Sequence, residues 1–169
     1  KFRNMVGVFR QYGEQYNVDW LFLLALAYRE STLVQSSRSA SGAVGVMQIL
    51  PVTARYVNIT NITNLNNNVH AGAKYMRYIL DQYLEDTNAE YTERLMLACL
   101  GYRVGPNRMK QLQEIADAAG LDPNAWYQNV ELVVARLHGH AYAQYIRHVH
   151  QYYTAYRFAI QGAPPPRSN

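Results

Sequence analysis

Glu30 is the side chain whose type and position best suit acid–base chemistry. It follows the most apolar run of the chain, Trp20 to Tyr28. A carboxylate at the C-terminal end of a helix meets an unfavourable macrodipole, and apolar burial disfavours its charge as well. Both effects favour a protonated acid near neutral pH, which is the proton donor that cleavage of a glycosidic bond requires. Position alone is also compatible with an ordinary surface glutamate at a helix end.

Other reaction classes lack the residues that they need. The five histidines do not have the His-Glu-x-x-His spacing of a zinc site, and the single cysteine, Cys99, excludes an intramolecular disulfide framework. The sequence contains no phosphate-binding glycine-rich loop and no Gly-x-Ser-x-Gly nucleophile elbow. We therefore expect no metal and no cofactor.

The charge of the chain leaves two interpretations open. Sixteen Lys and Arg residues against twelve Asp and Glu residues give a formal net charge of +4, without any basic run. Proteins that bind nucleic acid usually cluster their basic residues, so this partner is not expected. The positive charge indicates either a solvated basic surface or an anionic polymer as partner. No segment reaches the roughly 18 apolar residues of a membrane span.

The elements that must position Glu30 are predicted to be helices. Apolar side chains recur at spacings of three and four nearly throughout, and no period-two alternation extends beyond a few residues. Asp19 is the predicted N-cap of a helix that runs to about Ser31. A loop rich in Ser and Gly follows over 32–45, and Pro51 then suits the first turn of a short helix.

Two further boundaries are predicted from composition. The segment 58–68 is rich in asparagine and is expected to be an irregular connection before a long helix that starts at Val69. Asp122-Pro123 is expected to cap and start a helix that extends towards Leu137. Residues 1–162 then form one all-α domain of about eight helices, and residues 163–169 form a proline-containing tail that we expect to be mobile.

Four motifs resemble those of the soluble lytic transglycosylase (SLT) family of lysozyme-like enzymes. In chain order they are Glu30-Ser31, GAVGVMQILPVTA over 42–54, GYRVGP over 101–106 and YIRHV over 145–149. Each motif is weak alone, but four in the family's order and spacing are specific. The segment from Glu114 to His140 is also similar to the catalytic domain of the membrane-bound lytic transglycosylase F subfamily.

The resemblance implies a lysozyme-like fold and an activity. Glu30 would protonate the β-1,4 bond between MurNAc and GlcNAc of peptidoglycan and then act as base while the MurNAc C6 hydroxyl closes on C1. The product would carry a 1,6-anhydro-MurNAc end, and no second carboxylate would be needed. Met47 and Gln48 match substrate-lining positions of the family, and Tyr102 and Tyr145 match tyrosines near its catalytic glutamate. With Ser31, which would cap or orient the Glu30 region, and Arg103, these are the predicted substrate-binding residues.

Two departures from the family pattern concern the substrate contacts. Arg103 stands where the family has an asparagine, and residues 141–144 contain no acid where the family usually has a glutamate. Arg103 either alters the contacts with substrate or turns outward and leaves that role empty.

The resemblance also implies a setting and leaves alternatives. We expect a monomer that acts on peptidoglycan glycan strands in the bacterial periplasm or cell envelope, with any membrane anchor or regulatory domain outside these residues. The alternatives are a muramidase of the same fold that delivers water and a peptidoglycan-binding module without catalysis. A nucleic-acid binder is a more distant alternative, and its affinity would depend steeply on salt.

Overall fold

The computed structural model describes residues 2–85 and 89–162, which form eight α-helices and contain no β-sheet. In chain order the helices are α1 (Phe2–Tyr16), α2 (Trp20–Ser31), α3 (Pro51–Tyr56), α4 (Leu65–Tyr83), α5 (Tyr91–Val104), α6 (Pro106–Ala118), α7 (Glu131–His138) and α8 (His140–Gln161). None of these described helices is long and apolar enough to cross a membrane. The all-α prediction is confirmed, and the predicted tail over 163–169 lies outside the described residues.

Helix α2 is the centre of the fold. Its residues 21–27 are buried without a break, and the helix packs against α1 on one side and α8 on another. The Asp19 side chain accepts a hydrogen bond from the Leu21 N–H at 3.0 Å, which confirms the predicted N-cap. Thr32 adopts a left-handed conformation with φ 51° and ends the helix. Glu30 therefore lies in the last turn of the most buried helix.

The loop between α2 and α3 has little regular structure of its own. Val44 forms isolated backbone bridges with Arg38 and with Ile49, which fold the loop back on itself. Gly45 has φ +81°, and a Cβ at this position would lie 2.4 Å from the side-chain amide nitrogen of Asn68. Glycine is required there because the turn needs positive φ and because Asn68 occupies the space.

The prediction of an irregular connection over the whole of 58–68 is wrong at its C-terminal end. Helix α4 begins at Leu65, four residues earlier than expected, because the Asn64 side chain caps it by accepting from the Asn67 N–H at 3.2 Å. Asparagine favours loops in isolation, but it is also among the best N-cap residues. In this segment Asn64 acts as an N-cap residue, and the helix therefore starts within the asparagine-rich stretch.

The prediction of a helix starting at Asp122-Pro123 is also wrong. Residues 126–130 form an irregular turn in which Gln128 has φ 56°, and α7 begins only at Glu131. The Glu93 side chain on α5 accepts hydrogen bonds from the backbone N–H groups of Trp126 and Tyr127. The hydrogen bonds to Glu93 and the burial of the Trp126 side chain hold these residues in the irregular turn, so the expected helix does not form here.

Candidate active site

Glu30 is half-buried at the end of α2 and contacts α8. The hydroxyl of Tyr145, on α8, donates a hydrogen bond to one Glu30 carboxylate oxygen. Burial raises the pKa of Glu30, while the Tyr145 hydrogen bond and the charges of Arg103 and Arg29 lower it by less. The net effect is a raised pKa, so the carboxyl group keeps its proton to a higher pH than an exposed glutamate does.

Two arginines surround the tyrosine that holds Glu30. The guanidinium carbons of Arg29 and Arg103 each lie 5.1 Å from the centroid of the Tyr145 ring, within the range of a cation–π interaction. Arg103 also lies 5.7 Å from the centroid of the Tyr142 ring. Among the described residues, neither arginine forms an ion pair with a carboxylate. Arg103 therefore points towards the site and keeps its charge unneutralised.

Ser31 and Met47 lie behind the surface of the site. The Ser31 hydroxyl donates to the carbonyl oxygens of Ala27 at 3.1 Å and Val46 at 2.9 Å, which ties the end of α2 to the loop. Met47 has no exposed surface, and its carbonyl oxygen accepts a hydrogen bond from the Tyr102 hydroxyl. Both residues hold the backbone around Glu30, and their side chains are enclosed by protein.

Gln48 presents one end of its side-chain amide outwards. Its backbone has φ 50°, and its amide nitrogen donates to the carbonyl oxygens of Gly45 at 2.8 Å and Ser37 at 3.3 Å. The amide oxygen has no hydrogen-bond partner among the described residues. Because the nitrogen is held by two backbone groups, this oxygen is oriented and free to accept a hydrogen bond from a ligand.

A groove of about 280 Å³ runs past these side chains. Its lining includes three of the predicted residues, Gln48, Tyr102 and Arg103, together with Tyr75 from α4. Glu30 and Tyr145 join this group through Arg103, which contacts the Tyr145 ring. Three of the seven predicted residues therefore line the groove, Glu30 and Tyr145 are linked to it through Arg103, and Ser31 and Met47 lie behind it.

Sequence reasoning missed Asn68, the buried residue that clamps the loop. Its amide nitrogen donates to the carbonyl oxygens of Val44 at 2.7 Å and Ile62 at 2.9 Å, and its amide oxygen accepts from the Met47 N–H at 2.8 Å. A signal for it existed in the sequence. Asn68 precedes the buried Gly72 by four residues, so both share one face of α4.

The described residues contain no group of three His, Cys, Asp or Glu side chains that could hold a metal ion. The side chains at the site carry one carboxyl group, hydroxyl groups, an amide and two guanidinium groups.

Comparison with known proteins identifies the family. The family model described as the transglycosylase SLT domain matches residues 7–123. The chain belongs to the SLT domain family. The match covers the first three motifs found in the sequence, and α8, which supplies Tyr145, follows it.

Curated relatives of this SLT domain include two proteins named membrane-bound lytic murein transglycosylase F. The one from Shewanella frigidimarina is 29% identical over 147 residues, which are 86% of this chain and 30% of the relative. The one from Shewanella pealeana is 32% identical over 140 residues, which are 83% of this chain and 28% of the relative. The chain therefore spans less than a third of the length of these relatives.

Solved structures confirm the fold of the SLT domain. The 70 kDa soluble lytic transglycosylase from Escherichia coli superposes with a TM-score of 0.72 at 22% identity, covering 94% of this chain and 25% of that one. An inactive mutant of the lytic transglycosylase Slt from Pseudomonas aeruginosa gives 0.71 at 19% identity, with the same coverage. The predicted helical, lysozyme-like architecture of this family is thereby established.

Proposed function

We propose that this chain is the catalytic domain of a peptidoglycan lytic transglycosylase with Glu30 as its acid and base. The observation that carries the proposal is the environment of Glu30. Its pKa is raised by burial, it is oriented by the Tyr145 hydroxyl, and Tyr145 contacts Arg103 in the lining of a groove that can accept a glycan strand. A carboxyl group that stays protonated near neutral pH is the donor that a glycosidic oxygen requires.

The reaction proceeds in two proton transfers. Glu30 donates its proton to the oxygen that joins C1 of MurNAc to C4 of GlcNAc, the C1–O bond breaks, and GlcNAc leaves with a free 4-hydroxyl. The Glu30 carboxylate then takes the proton of the C6 hydroxyl on the same MurNAc while that oxygen bonds to C1. Glu30 regains its proton, no water is consumed, and the product ends in 1,6-anhydro-MurNAc.

The described contacts of Glu30 suit a reaction that needs no second carboxylate. Retaining and inverting glycosidases use a pair of carboxylates, one of which acts as nucleophile or activates water. Among the described residues, no second carboxylate is bonded to Glu30, to Tyr145 or to the two nearby arginines. An intramolecular hydroxyl nucleophile needs no such partner.

The side chains that line the groove would contact the substrate. We assign the free amide oxygen of Gln48 to a hydroxyl or acetamido N–H of a sugar, and the ring of Tyr102 to an apolar sugar face. The unpaired guanidinium of Arg103 suits a carboxylate of the muramyl residue or its stem peptide. Ser31 and Met47 contribute by holding the backbone.

The substrate and the names of the relatives support a place in the bacterial cell envelope. Peptidoglycan lies outside the cytoplasmic membrane, and the relatives are named membrane-bound lytic murein transglycosylases. We infer that the whole protein acts in the periplasm, where this domain reaches the glycan strands. Association with the outer membrane would depend on segments outside the present residues.

The test is mass spectrometry of the muropeptides that the domain releases from purified peptidoglycan. Wild type is expected to release products with 1,6-anhydro ends, and Glu30→Gln to release at most a hundredth of that amount, because an amide cannot donate the proton. Glu14→Gln is the matched control, since Glu14 is exposed on α1. Reducing ends in place of anhydro ends would replace the proposal with hydrolysis, and a domain that binds without releasing products would be a binding module.

A further inference from the structure

Two long segments of the sequence lack acidic residues, and the fold brings them together on one side. Residues 94–113 contain no Asp or Glu, and no acidic residue follows Glu131. The first segment forms most of α5 and the start of α6, and the second forms α8 and all of α7 after its first residue. Helices α5 and α7 each pack against both α6 and α8. Basic residues that are scattered in the sequence therefore share one side of the molecule.

A short path of contacts crosses this side from the active-site groove to α6. The Arg103 guanidinium carbon lies 5.7 Å from the Tyr142 ring centroid, and that centroid lies 5.3 Å from the centroid of the His138 ring. The Nε–H of Arg108, in the first turn of α6, donates to Nε2 of His138 at 3.1 Å. We call the surface formed by Arg103, Arg108, His138 and Tyr142 the basic face. It starts at the groove, because Arg103 also lines the groove.

No carboxylate neutralises the two arginines of the basic face. Among the described residues, neither of them takes part in an ion pair. Arg108 donates only to uncharged acceptors, which are a ring nitrogen of His138 and the side-chain oxygen of Gln111. Its second terminal nitrogen has no hydrogen-bond partner in the described part of the chain. Arg103 is exposed and Arg108 is half-buried, so each guanidinium can still pair with an anion.

Both departures from the SLT pattern make this face more positive. Arg103 replaces the neutral asparagine of the family, and residues 141–144 lack the glutamate that the family usually has. One change adds a positive charge and the other removes a negative one, and they lie on α5 and α8 beside the same tyrosine, Tyr142. The charge of the basic face is therefore a property of this chain and is not required by the fold.

The stem peptide of the proposed substrate has the charge and the length that fit the basic face. It is attached to the lactyl group of MurNAc and carries carboxylates along its length. The path from Arg103 to Arg108 is at most about 16 Å long, so an extended peptide of about five residues, the length of a stem peptide, can span it. A strand without peptides has only its lactyl carboxylates, which stay close to the sugar rings. Only a peptide that leaves the groove beside Arg103 reaches Arg108.

We propose that the basic face binds carboxylates of the stem peptide and makes this domain prefer glycan strands that carry charged peptides. The inference rests on the proposed function for the nature of the strand. It adds a selectivity for the peptide, which neither the acid Glu30 nor the sugar contacts of the groove would provide.

The experiment compares two forms of one ligand, a tetrasaccharide of alternating GlcNAc and MurNAc that carries tetrapeptide stems. One form has free peptide carboxylates, and the other has them converted to carboxamides, so the two differ in charge and hardly in size. Calorimetry in the Glu30→Gln background, where cleavage is suppressed, measures both affinities. We call the ratio of the two affinities the charge preference. Arg108→Gln and Arg103→Asn should each lower it about threefold, as expected for the loss of one exposed ion pair.

A matched control separates the basic face from the net charge of the domain. Arg3→Gln removes the same charge from an exposed position on α1, a helix that packs against α2 and α4. It should leave the charge preference unchanged. A loss as large as that of Arg108→Gln would mean that the overall charge attracts the peptide, and would overturn the site.

A second substitution guards against an effect of Arg108 on folding. Ala141 is exposed in the first turn of α8 and precedes Tyr145 by four residues, so the two lie on the same face of the helix. Ala141→Glu therefore adds a carboxylate near Arg103. Because an acid in the first turn does not destabilise a helix, thermal unfolding should stay unchanged while the charge preference falls. An unaltered charge preference in both Arg108→Gln and Ala141→Glu would refute the proposal.

Binding also separates this proposal from the proposed function. A charge preference that is lost on Arg108→Gln supports the basic face even if wild type releases no anhydro product. Equal affinities for the two forms, or no binding of either form, refute it even if wild type is an active transglycosylase.

Discussion

At the scale of single residues, the protonation of Glu30 is set by a balance of opposing effects. Burial raises its pKa, and the Tyr145 hydroxyl and two arginine charges lower it by less. In the proposed reaction Glu30 both gives and takes a proton, and a pKa near the working pH favours both transfers. Neither a fully apolar pocket nor a salt bridge to arginine would provide it.

The raised pKa predicts how Glu30 affects stability. The folded state binds the Glu30 proton more tightly than the unfolded chain does, so this contribution to the free energy of unfolding is complete below the unfolded pKa. It is lost as the pH rises through the folded pKa. A neutral glutamine has no such loss, so the Tm of Glu30→Gln minus that of wild type should increase between about pH 4 and about pH 8. Calorimetric Tm values across this range measure it, and a difference that shrinks with pH would contradict the raised pKa.

Replacing Arg103 by the asparagine of the family should raise the pKa of Glu30 further. Arg103 lowers that pKa by its charge, so Arg103→Asn removes a contribution that favours the carboxylate. The alkaline limb of the pH dependence of kcat/KM is expected to move to higher pH, and NMR titration of the Glu30 carboxyl carbon should move in the same direction. Arg136→Asn, at an exposed position on α7, is the control. An unchanged limb would mean that solvent screens the Arg103 charge from Glu30.

At the scale of elements, the site depends on how α4 holds an irregular loop. The loop that carries Met47 and Gln48 is folded by turns and isolated bridges, and the buried side chain of Asn68 ties it to α4 with three hydrogen bonds. Gly72, one turn further along α4, leaves room for the Met47 side chain, because a Cβ there would lie 2.6 Å from its terminal carbon. Helix α4 therefore positions the loop through the hydrogen bonds of Asn68 and through the close packing of Met47 against Gly72.

Loss of the Asn68 clamp should destabilise the fold. In Asn68→Ala the buried N–H of Met47 loses its partner, and the carbonyl groups of Val44 and Ile62 each lose one of two hydrogen bonds. This should cost about 2–4 kcal/mol of unfolding free energy. Asn67→Ala, in which a single exposed side-chain bond to the Asn61 carbonyl is lost, should cost less than about 1 kcal/mol. Urea denaturation of the two variants measures the difference. Equal midpoints would show that water replaces the clamp.

At the scale of the whole molecule, the net charge of +4 suits the substrate that we propose. Peptidoglycan carries muramyl and stem-peptide carboxylates, and a basic protein raises the local concentration of such a polymer. The charge is spread over the surface, and the two unpaired arginines near Glu30 place part of it at the groove. Positive charge therefore favours both the long-range attraction of an anionic polymer and its binding at the site.

Added salt should weaken binding of the domain to wall fragments. Screening shortens the Debye length from about 30 Å at 0.01 M salt to about 8 Å at 0.15 M, so long-range attraction falls. Sedimentation of Glu30→Gln with purified sacculi at both salt concentrations measures this, and a neutral GlcNAc oligosaccharide is the control ligand, with an affinity that should change little. Salt-independent binding to sacculi would remove the role of net charge.

The extent of prediction from sequence differs between helices and site. The helix α2, its cap at Asp19 and Glu30 in its last turn follow from local spacing and composition, because a helix is formed by residues three and four apart. The start of α7 could not be predicted from local sequence. Glu93, on another helix, accepts hydrogen bonds from the backbone N–H groups of Trp126 and Tyr127, in the segment where the helix was expected. Local rules failed where a distant side chain competed with the helix.

The sequence by itself determined an all-α domain, an acid at the end of its most apolar helix, and motifs in the order of the SLT family. Only the tertiary structure decided that Tyr145, 115 residues away, holds Glu30 and that Arg103 faces the same ring. Only the tertiary structure brought the acid-free segments of α5 to α8 together on one side of the fold. Periodicity predicts which face of a helix is buried. Which helix packs against that face depends on residues far away in the sequence, and local spacing does not predict it.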